Sequence, residues 1–328
     1  MNYQDLFEKF NDLRILVVGD VMMDAYVLGK VTRISPEAPV PIISLEEEDE
    51  RIGGAGNVAL NLVALGAKPI IASVVGTDSN GEKLTSLFKT NGISTEGVIF
   101  SDSRKTTVKT RVISNKQQLL RIDSEDTFPI SLSEQNDLIK RIHHLIQEGI
   151  DAIIFEDYNK GVLTDELITS TIEKAKSKNI PTTVDPKKEN FFAYKNVTLF
   201  KPNLKELKEG LNVQFDFSKN KDAFEESISL LERKLNNSIS FITLSEHGVF
   251  IKNTERKHYA KAHLRNISDV SGAGDTVIAV ATLCLAANAE LESIAEISNI
   301  AGGLVCEKSG VVSINKEELL QEVKELLG

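Results

Sequence analysis

Tryptophan is absent from this chain of 328 residues, cysteine occurs only twice and histidine five times. The two cysteines, Cys284 and Cys306, lie in apolar helical stretches with no CxxC spacing and no histidine partner. That excludes a disulfide framework or a thiolate metal centre, and they read as reduced core residues of a reducing compartment. The histidines have no metal-ligand spacing, and no Ser–His–Asp arrangement is present. Long apolar runs are missing too: no window approaches the roughly eighteen apolar residues of a membrane span. The N-terminal "MNYQDLFEKFNDLR" is amphipathic and acidic without the apolar core of a signal peptide. The expectation is a cytoplasmic protein with no membrane partner. Positive charge is scarce as well, with 38 Lys and Arg against 48 Asp and Glu and a net charge of −10. This disfavours nucleic acid as a partner, so any anionic ligand needs a local cluster of donors. Two phosphate fingerprints are also lacking. No GxxxxGK[ST] occurs, and no GxGxxG follows the first strand, which argues against a Rossmann dehydrogenase.

What the chain does have is a rhythm of short apolar runs and helical patterns. Strands are expected at 14–20, 68–76, 151–157, 180–186, 197–203 and 240–248. Most are continuously apolar, as parallel strands covered on both faces are. Amphipathic helices fall between them at 57–66, 80–91, 132–149, 164–178 and 220–236, with a further helix at 316–327. Strand–helix–strand at this spacing predicts a doubly covered α/β sheet, whose ligands bind beyond the carboxyl ends of the strands. The segments "GD", "ED", "VDP", "KPN" and "TLSEHG" all sit at such ends. Two stretches break the rhythm: 21–52, where prolines exclude helix, and 104–123, rich in Thr, Val and Ile alternating with polar and basic residues. Both read as half-exposed strands of a small β-sheet inserted in one domain spanning 1–328, and this sheet suits a lid or a dimer surface.

The segment "DVSGAGDTVIAV" (269–280) holds the densest chemistry. Successive amides at Gly272, Ala273, Gly274 and Asp275 can converge on an anion, backed by the positive end of a helix expected over 276–288. Asp275 stands there either as acceptor of a proton from an attacking hydroxyl or as an N-cap acid. Spacing alone leaves both open. In "KPNLKEL", Asn203 and Glu206 form either a capping box or part of the water shell of a Mg²⁺ on nucleotide phosphates. Asp185 and Lys187 in "TVDPK" are a metal-facing carboxylate and a phosphate-facing cation, or a surface turn. Asp20, Asp24 and "GGAGN" (Gly53, Gly54 and Asn57 within it) suit sugar hydroxyls, with capping as the competing reading. The basic face of 108–123, with Lys109, Arg111, Lys116 and Arg121, is either solvated or a grip for an anionic substrate tail.

Taken together these stretches resemble the PfkB (ribokinase-like) carbohydrate kinases. "GGAGN" is similar to the family's first signature, "DVSGAGDTVIAVAT" to its second and "NLKE" to its N-x-x-E motif. Val280 departs from the second signature, which has Ala or Gly there. "GDVMMDAYVLGKVTRISPEAPVPI", "VKTRVISNKQQLLRID" and "EDYNKGVL" are similar to stretches of the heptose 7-phosphate kinases within that family. The resemblance covers essentially the whole chain. It implies a ribokinase-like three-layer α/β/α fold with a mostly parallel sheet and a β-sheet lid. It implies Asp275 as catalytic base and the 272–275 amides as anion hole. Asn203, Leu204, Lys205 and Glu206 would serve Mg·ATP, with Asp185 reaching the Mg²⁺ through water. Thr243, Ser245, Gly248 and Asn299 would border the adenosine. Asp20, Asp24, Gly53, Gly54 and Asn57 would hold sugar hydroxyls. Arg111, Gln118, Arg121, Lys160 and Lys187 would lie near the sugar or its phosphate. Asp269 and Ser271 fall where relatives bind a monovalent cation, K⁺ in the first instance. The implied partners are ATP, a sugar phosphate and a second copy of the chain joined through the lid. A kinase for another sugar and an inactive sugar- or nucleotide-binding regulator are the competing functions.

Overall fold

The computed structural model describes residues 2–115 and 117–328. In chain order the elements are α1 (Tyr3–Lys9), β1 (Arg14–Gly19), β2 (Val21–Ile34), β3 (Pro41–Gly54), α2 (Ala55–Ala64), β4 (Lys68–Gly76), α3 (Ser79–Thr90) and β5 (Ser94–Ser101). Next come β6 (Val108–Ser114), β7 (Gln117–Ser124), α4 (Leu132–Gly149), β8 (Ala152–Glu156), α5 (Asp165–Ser177), β9 (Thr182–Asp185) and β10 (Leu199–Phe200). The chain closes with α6 (Leu204–Leu211), α7 (Lys221–Leu235), β11 (Ile239–Thr243), β12 (Val249–Lys252), β13 (Lys257–Ala260), α8 (Ala273–Ala286), α9 (Leu291–Cys306) and α10 (Lys316–Leu327).

Nine strands form one sheet in the order β13-β12-β11-β10-β9-β8-β1-β4-β5. It is parallel from β11 to β5; β12 runs antiparallel to β11, and β13 antiparallel to β12. The continuous apolar runs are explained by burial on both faces. Ile15 and Val17 of β1 point into the core under α2, α8 and α9, while Leu16 and Val18 point into the core under α4, α5 and α7. Burying each such side chain contributes about 1.5–3 kcal/mol, which is what selects a three-layer α/β/α arrangement over exposed sheet faces. Among the described residues no helix is long and apolar enough to cross a membrane. Cys284 is buried in α8, Cys306 is half-buried at the end of α9, and both are free thiols.

The two rhythm-breaking stretches form a second sheet, β3-β2-β6-β7, as the ribokinase-like resemblance implies. Paired residues on adjacent strands share a face. Asp24 faces Arg51 across the β2–β3 pair, and Tyr26 faces Arg111 across β2–β6. The inner face of this lid therefore carries Asp24, Tyr26, Arg51 and Arg111. The opposite face carries Val27, Val112, Leu120 and Ile122 by the same alternation. Lys116, expected on the basic face, lies outside the described residues.

Several boundaries differ from the expected ones. The segment 197–203 is a strand only at Leu199–Phe200, with Asn203 adding one bridge to Thr243. The strand expected through 248 ends at Thr243, and Ser245–His247 form a short 3-10 turn instead. Helix α8 begins at Ala273 rather than 276, so Gly272 is its N-cap and Asp275 lies inside the first turn.

Candidate active site

Parallel register places the carboxyl ends of neighbouring strands side by side. Gly19 pairs with Glu156, and Glu156 with Asp185. The residues that end or follow β1, β8, β9 and β10 are thus neighbours: Asp20, Glu156, Asp185 and Lys201. The mouth of α8 lies over this edge. Glu156, Asp185 and Asp275 each bring one carboxylate oxygen within 4.8 Å of the others, and all three are buried.

Asp275 is held from two sides. Asn57 of α2 donates from Nδ2 to its Oδ2 at 2.6 Å, and the Tyr158 hydroxyl donates to its Oδ1 at 3.1 Å. Burial pushes the Asp275 carboxyl up to about 6; the Asn57 hydrogen bond opposes this, and the Asp185 charge adds to it. Burial drives the Glu156 carboxyl up as well, reinforced by the charges of Asp185 and Asp275, and its Oε2 is a buried oxygen without a hydrogen-bond partner. The buried ammonium of Lys201 lies 2.8 Å from Asp185 and offsets part of this negative charge. Lys187 pairs with Glu206 at 2.9 Å and lies 5.7 Å from the Tyr158 ring centroid. The charges of Asp185, Glu206 and Glu156 raise the Lys187 pKa against the cost of its burial. Lys187 is therefore a cation at neutral pH.

At Gly272 the helix starts from a left-handed residue with φ of 79°, and a Cβ there would lie 3.0 Å from Asn57 Nδ2. A side chain would push Asn57 off Asp275, so glycine serves both the turn and the contact. The Ala273 amide donates to the Val270 carbonyl at 3.3 Å, whereas the amides of Gly274 and Asp275 have no intrahelical partner and point out of the helix mouth, where the macrodipole favours an anion. The stretch 272–275, expected to form an anion hole, is the N-cap and first turn of this helix.

The other expected residues fall into groups. Asn203 and Glu206 make a complete capping box on α6: Glu206 N–H donates to Asn203 Oδ1, and Asn203 N–H donates to Glu206 Oε2, each at 2.8 Å. The second oxygen of Glu206 takes Lys187, so cap and charge network coexist in one side chain. Leu204 packs on the core beneath, and exposed Lys205 reaches Glu209 at 3.8 Å. Thr243 ends β11 beside Asn203, Ser245 opens the short turn after it and Gly248 caps that turn, and Asn299 on α9 donates to the Lys261 carbonyl at 2.7 Å.

Under the lid, a cavity of about 220 Å³ is lined by residues including Asp24, Tyr26, Arg51, Asn57 and Asn91. Arg111 donates to Asp24 at 2.5 Å. Gly53 crosses so near Asp24 that a Cβ would lie 2.4 Å from Oδ2, and Gly54 is the N-cap of α2. Asn57 belongs to both the cavity and the Asp275 cluster and connects them.

Asp20 is placed differently from the sugar-facing role implied for it. It is 1% exposed, and its oxygens accept the backbone amides of Tyr158 and Lys160 (3.0 Å each) and of Val162 (3.1 Å). It is a clamp on the segment after β8, and burial pushes its carboxyl up to about 6. Lys160 turns to Glu125 at 2.6 Å, Arg121 to Asp123 at 2.9 Å, and Gln118 lies exposed on the edge strand β7. Asp269 accepts the amides of Ser271 (2.9 Å) and Gly310 (3.2 Å), pinning the approach to α8.

Glu156, Tyr158, Lys201 and Arg51 were not among the expected site residues. One signal existed for the first: "DAIIFED" is an apolar run that ends in two acids at a strand's carboxyl end. Nothing local marks Tyr158, whose partner is 117 residues away.

A mostly parallel three-layer sheet, a buried carboxylate in the first turn of a helix at its carboxyl edge, and a β lid over the adjoining cavity define the ribokinase-like class of α/β proteins. The chain belongs to the pfkB family of carbohydrate kinases, whose family model matches residues 12–318. Relatives named bifunctional protein HldE include that of Methylobacillus flagellatus, 41% identical over 94% of this chain and 63% of that protein. The one from Syntrophotalea carbinolica is 37% identical over 97% of this chain and 64% of that protein. The chain thus spans just under two thirds of these relatives' length. Among solved structures it is similar to phosphofructokinase-2 from Escherichia coli in complex with substrates and products. The TM-score is 0.78 at 20% identity, covering 96% of this chain and all of the other. Arabidopsis thaliana ribokinase complexed with ribose and ATP gives 0.69 at 15% identity, covering 95% of this chain and 98% of the other. At these identities the two structures speak for the fold alone.

Proposed function

We propose that this chain transfers the γ-phosphoryl of Mg·ATP to the anomeric hydroxyl of D-glycero-D-manno-heptose 7-phosphate. The products are the 1,7-bisphosphate and ADP, in a cytoplasmic step of ADP-heptose and lipopolysaccharide core synthesis. The observation that carries this reading is Asp275: a buried carboxylate in the first turn of α8, beside outward-facing amides, and joined through Asn57 to the lidded cavity. The hydroxyl oxygen attacks the γ-phosphorus as the bond to the β,γ-bridging oxygen breaks, and Asp275 takes the hydroxyl proton. Charge on the transferred group falls to the first-turn amides and Lys187. The heptose is preferred over other sugars on the strength of the stretches "VTRISPEAPVPI" and "NKQQLLRID" and of the two lid cations, Arg51 and Arg111. Both cations lie over the Tyr26 ring, at 4.9 and 5.4 Å.

The residues present suit a divalent ion. Glu156 Oε2 is buried without a partner, and Asp185 faces the same space. Asp185, Asn203 and Glu206 would hold Mg²⁺ through its waters, and the ion would neutralise the phosphate charge. A monovalent cation, K⁺ in the first instance, would sit at Asp269 and Ser271. A second copy would pair through the lid. The test is ADP release against a panel of free and phosphorylated sugars. Turnover of heptose 7-phosphate far above ribose, fructose and free heptose is expected. Equal rates across the panel would leave only a general sugar kinase.

A further inference from the structure

We propose that Tyr158 is a positioning residue for phosphoryl transfer: its hydroxyl fixes the orientation of the Asp275 carboxylate. The inference rests on Asp275 accepting the proton and adds a residue with no part in the reading above.

Its basis is the way the segment after β8 is built. Two buried acids immobilise that backbone. Asp20 accepts the amides of residues 158, 160 and 162. Asp157 Oδ1 accepts the Asn159 amide at 2.8 Å, while its Oδ2 accepts the Tyr194 hydroxyl at 2.7 Å and Asn190 Nδ2 at 3.1 Å. Asn159 is left-handed at φ of 53°, a conformation asparagine tolerates, and it turns the chain sharply after Tyr158. The ring is thereby held over the Glu156–Asp185 edge, with the Lys187 ammonium above it. A phenol keeps its proton at neutral pH, so the hydroxyl is the donor toward Asp275.

The two donors divide the carboxylate between them. Asn57, on α2, takes Oδ2, and Tyr158, on the opposite side, takes Oδ1. One donor would leave the carboxylate free to swing about its χ2 torsion, which is broad for aspartate. Two donors from separate elements hold one setting and leave the remaining lone pairs for the sugar hydroxyl.

The experiment is a double-mutant cycle read by ADP release, using Tyr158→Phe, Asp275→Asn and the double variant. Phenylalanine keeps the ring and its face toward Lys187 and removes one oxygen. In the otherwise natural protein, kcat should fall on the order of 10- to 100-fold, the value of one charge-assisted hydrogen bond, with KM for ATP unchanged. In the Asp275→Asn background the same change should cost less than about twofold, because the group it serves is gone. Thermal midpoints of Tyr158→Phe and the natural protein should agree. An equal loss in both backgrounds, a loss that tracks a lowered thermal midpoint, or no loss in the natural background would each overturn the proposal. Natural turnover by Asp275→Asn alone would instead count against the base assignment.

Discussion

Asp275 is poised by opposing forces, and pH reads their balance. Burial raises its pKa to about 6, and a base must be ionised to work. The expected profile of kcat/KM falls with unit slope below pH about 6 as the base takes up its proton. Asp275→Asn keeps the size, the capping ability and the neighbouring amides. It should lower kcat about 10²–10⁴-fold, abolish that acid limb and leave nucleotide affinity nearly unchanged. Calorimetric ATP binding beside steady-state rates checks both. If Asp275 only capped the helix, the asparagine variant would turn over normally. The same shift acts on stability with a definite sign. Asp20 and Asp275 bind their protons more tightly folded, at about 6, than at the ordinary 3.8. Their contribution to stability is therefore complete below about pH 3.8 and is lost as pH rises through about 6.

At the level of elements, the segment between β8 and α5 and the first turn of α6 carry testable burdens. Asp20 satisfies three backbone amides with two oxygens. In Asp20→Asn one oxygen becomes an NH₂ that cannot accept, so at least one buried amide is orphaned whichever way the side chain is placed. The expected cost is about 1–3 kcal/mol per orphaned amide in a denaturant titration at pH 7, together with a loss of activity as Tyr158 is loosened. A wild-type midpoint would mean the clamp is dispensable. Glu206→Gln separates the two duties of its residue. Glutamine completes the capping box as glutamate does, so the midpoint should shift by less than about 1 kcal/mol. The charge facing Lys187 is lost, and with it the proposed hold on the waters of Mg²⁺, so kcat should drop at least about tenfold. Near-normal kcat would assign Glu206 to the cap alone.

For the whole molecule the open question is what covers the lid. Its outer face presents Leu120 and Ile122, 54% and 52% exposed, with half-buried Val27 and Val112 beside them on the same face. Contiguous apolar surface of this kind suits an interaction site, and the proposed pairing through the lid would set the same face of a second copy against it. Leu120→Glu combined with Ile122→Lys should convert a dimer to a monomer in sedimentation while leaving the Asp275 cluster intact. A dimer unaffected by both changes would place the interface elsewhere.

What the amino-acid order determined by itself was everything that depends on near neighbours. Continuous apolar runs such as "RILVV" belong only in strands buried on both faces. The 3.6-residue patterns at 132–149 and 316–327 set α4 and α10 to the residue. The prolines of 21–52 excluded helix, and the glycines beside Asp275 marked a helix start, placed at 276 where the structure has Ala273. Composition and local hydrogen bonding suffice for these, because the partners lie within a few positions. Tertiary structure alone decided which side chains meet. Tyr158 reaches Asp275 across 117 positions and Asn57 across 218, and both contacts exist only because the parallel register and the packing of α8 align these segments. The same register turned Asp20 inward onto amides no local pattern reveals, left Arg121 to Asp123, and brought Glu156 beside Asp185. A carboxylate at a strand end looks alike in sequence whether it clamps a loop, faces a metal or takes a proton. Only the donors and charges that packing gathers around it separate these roles.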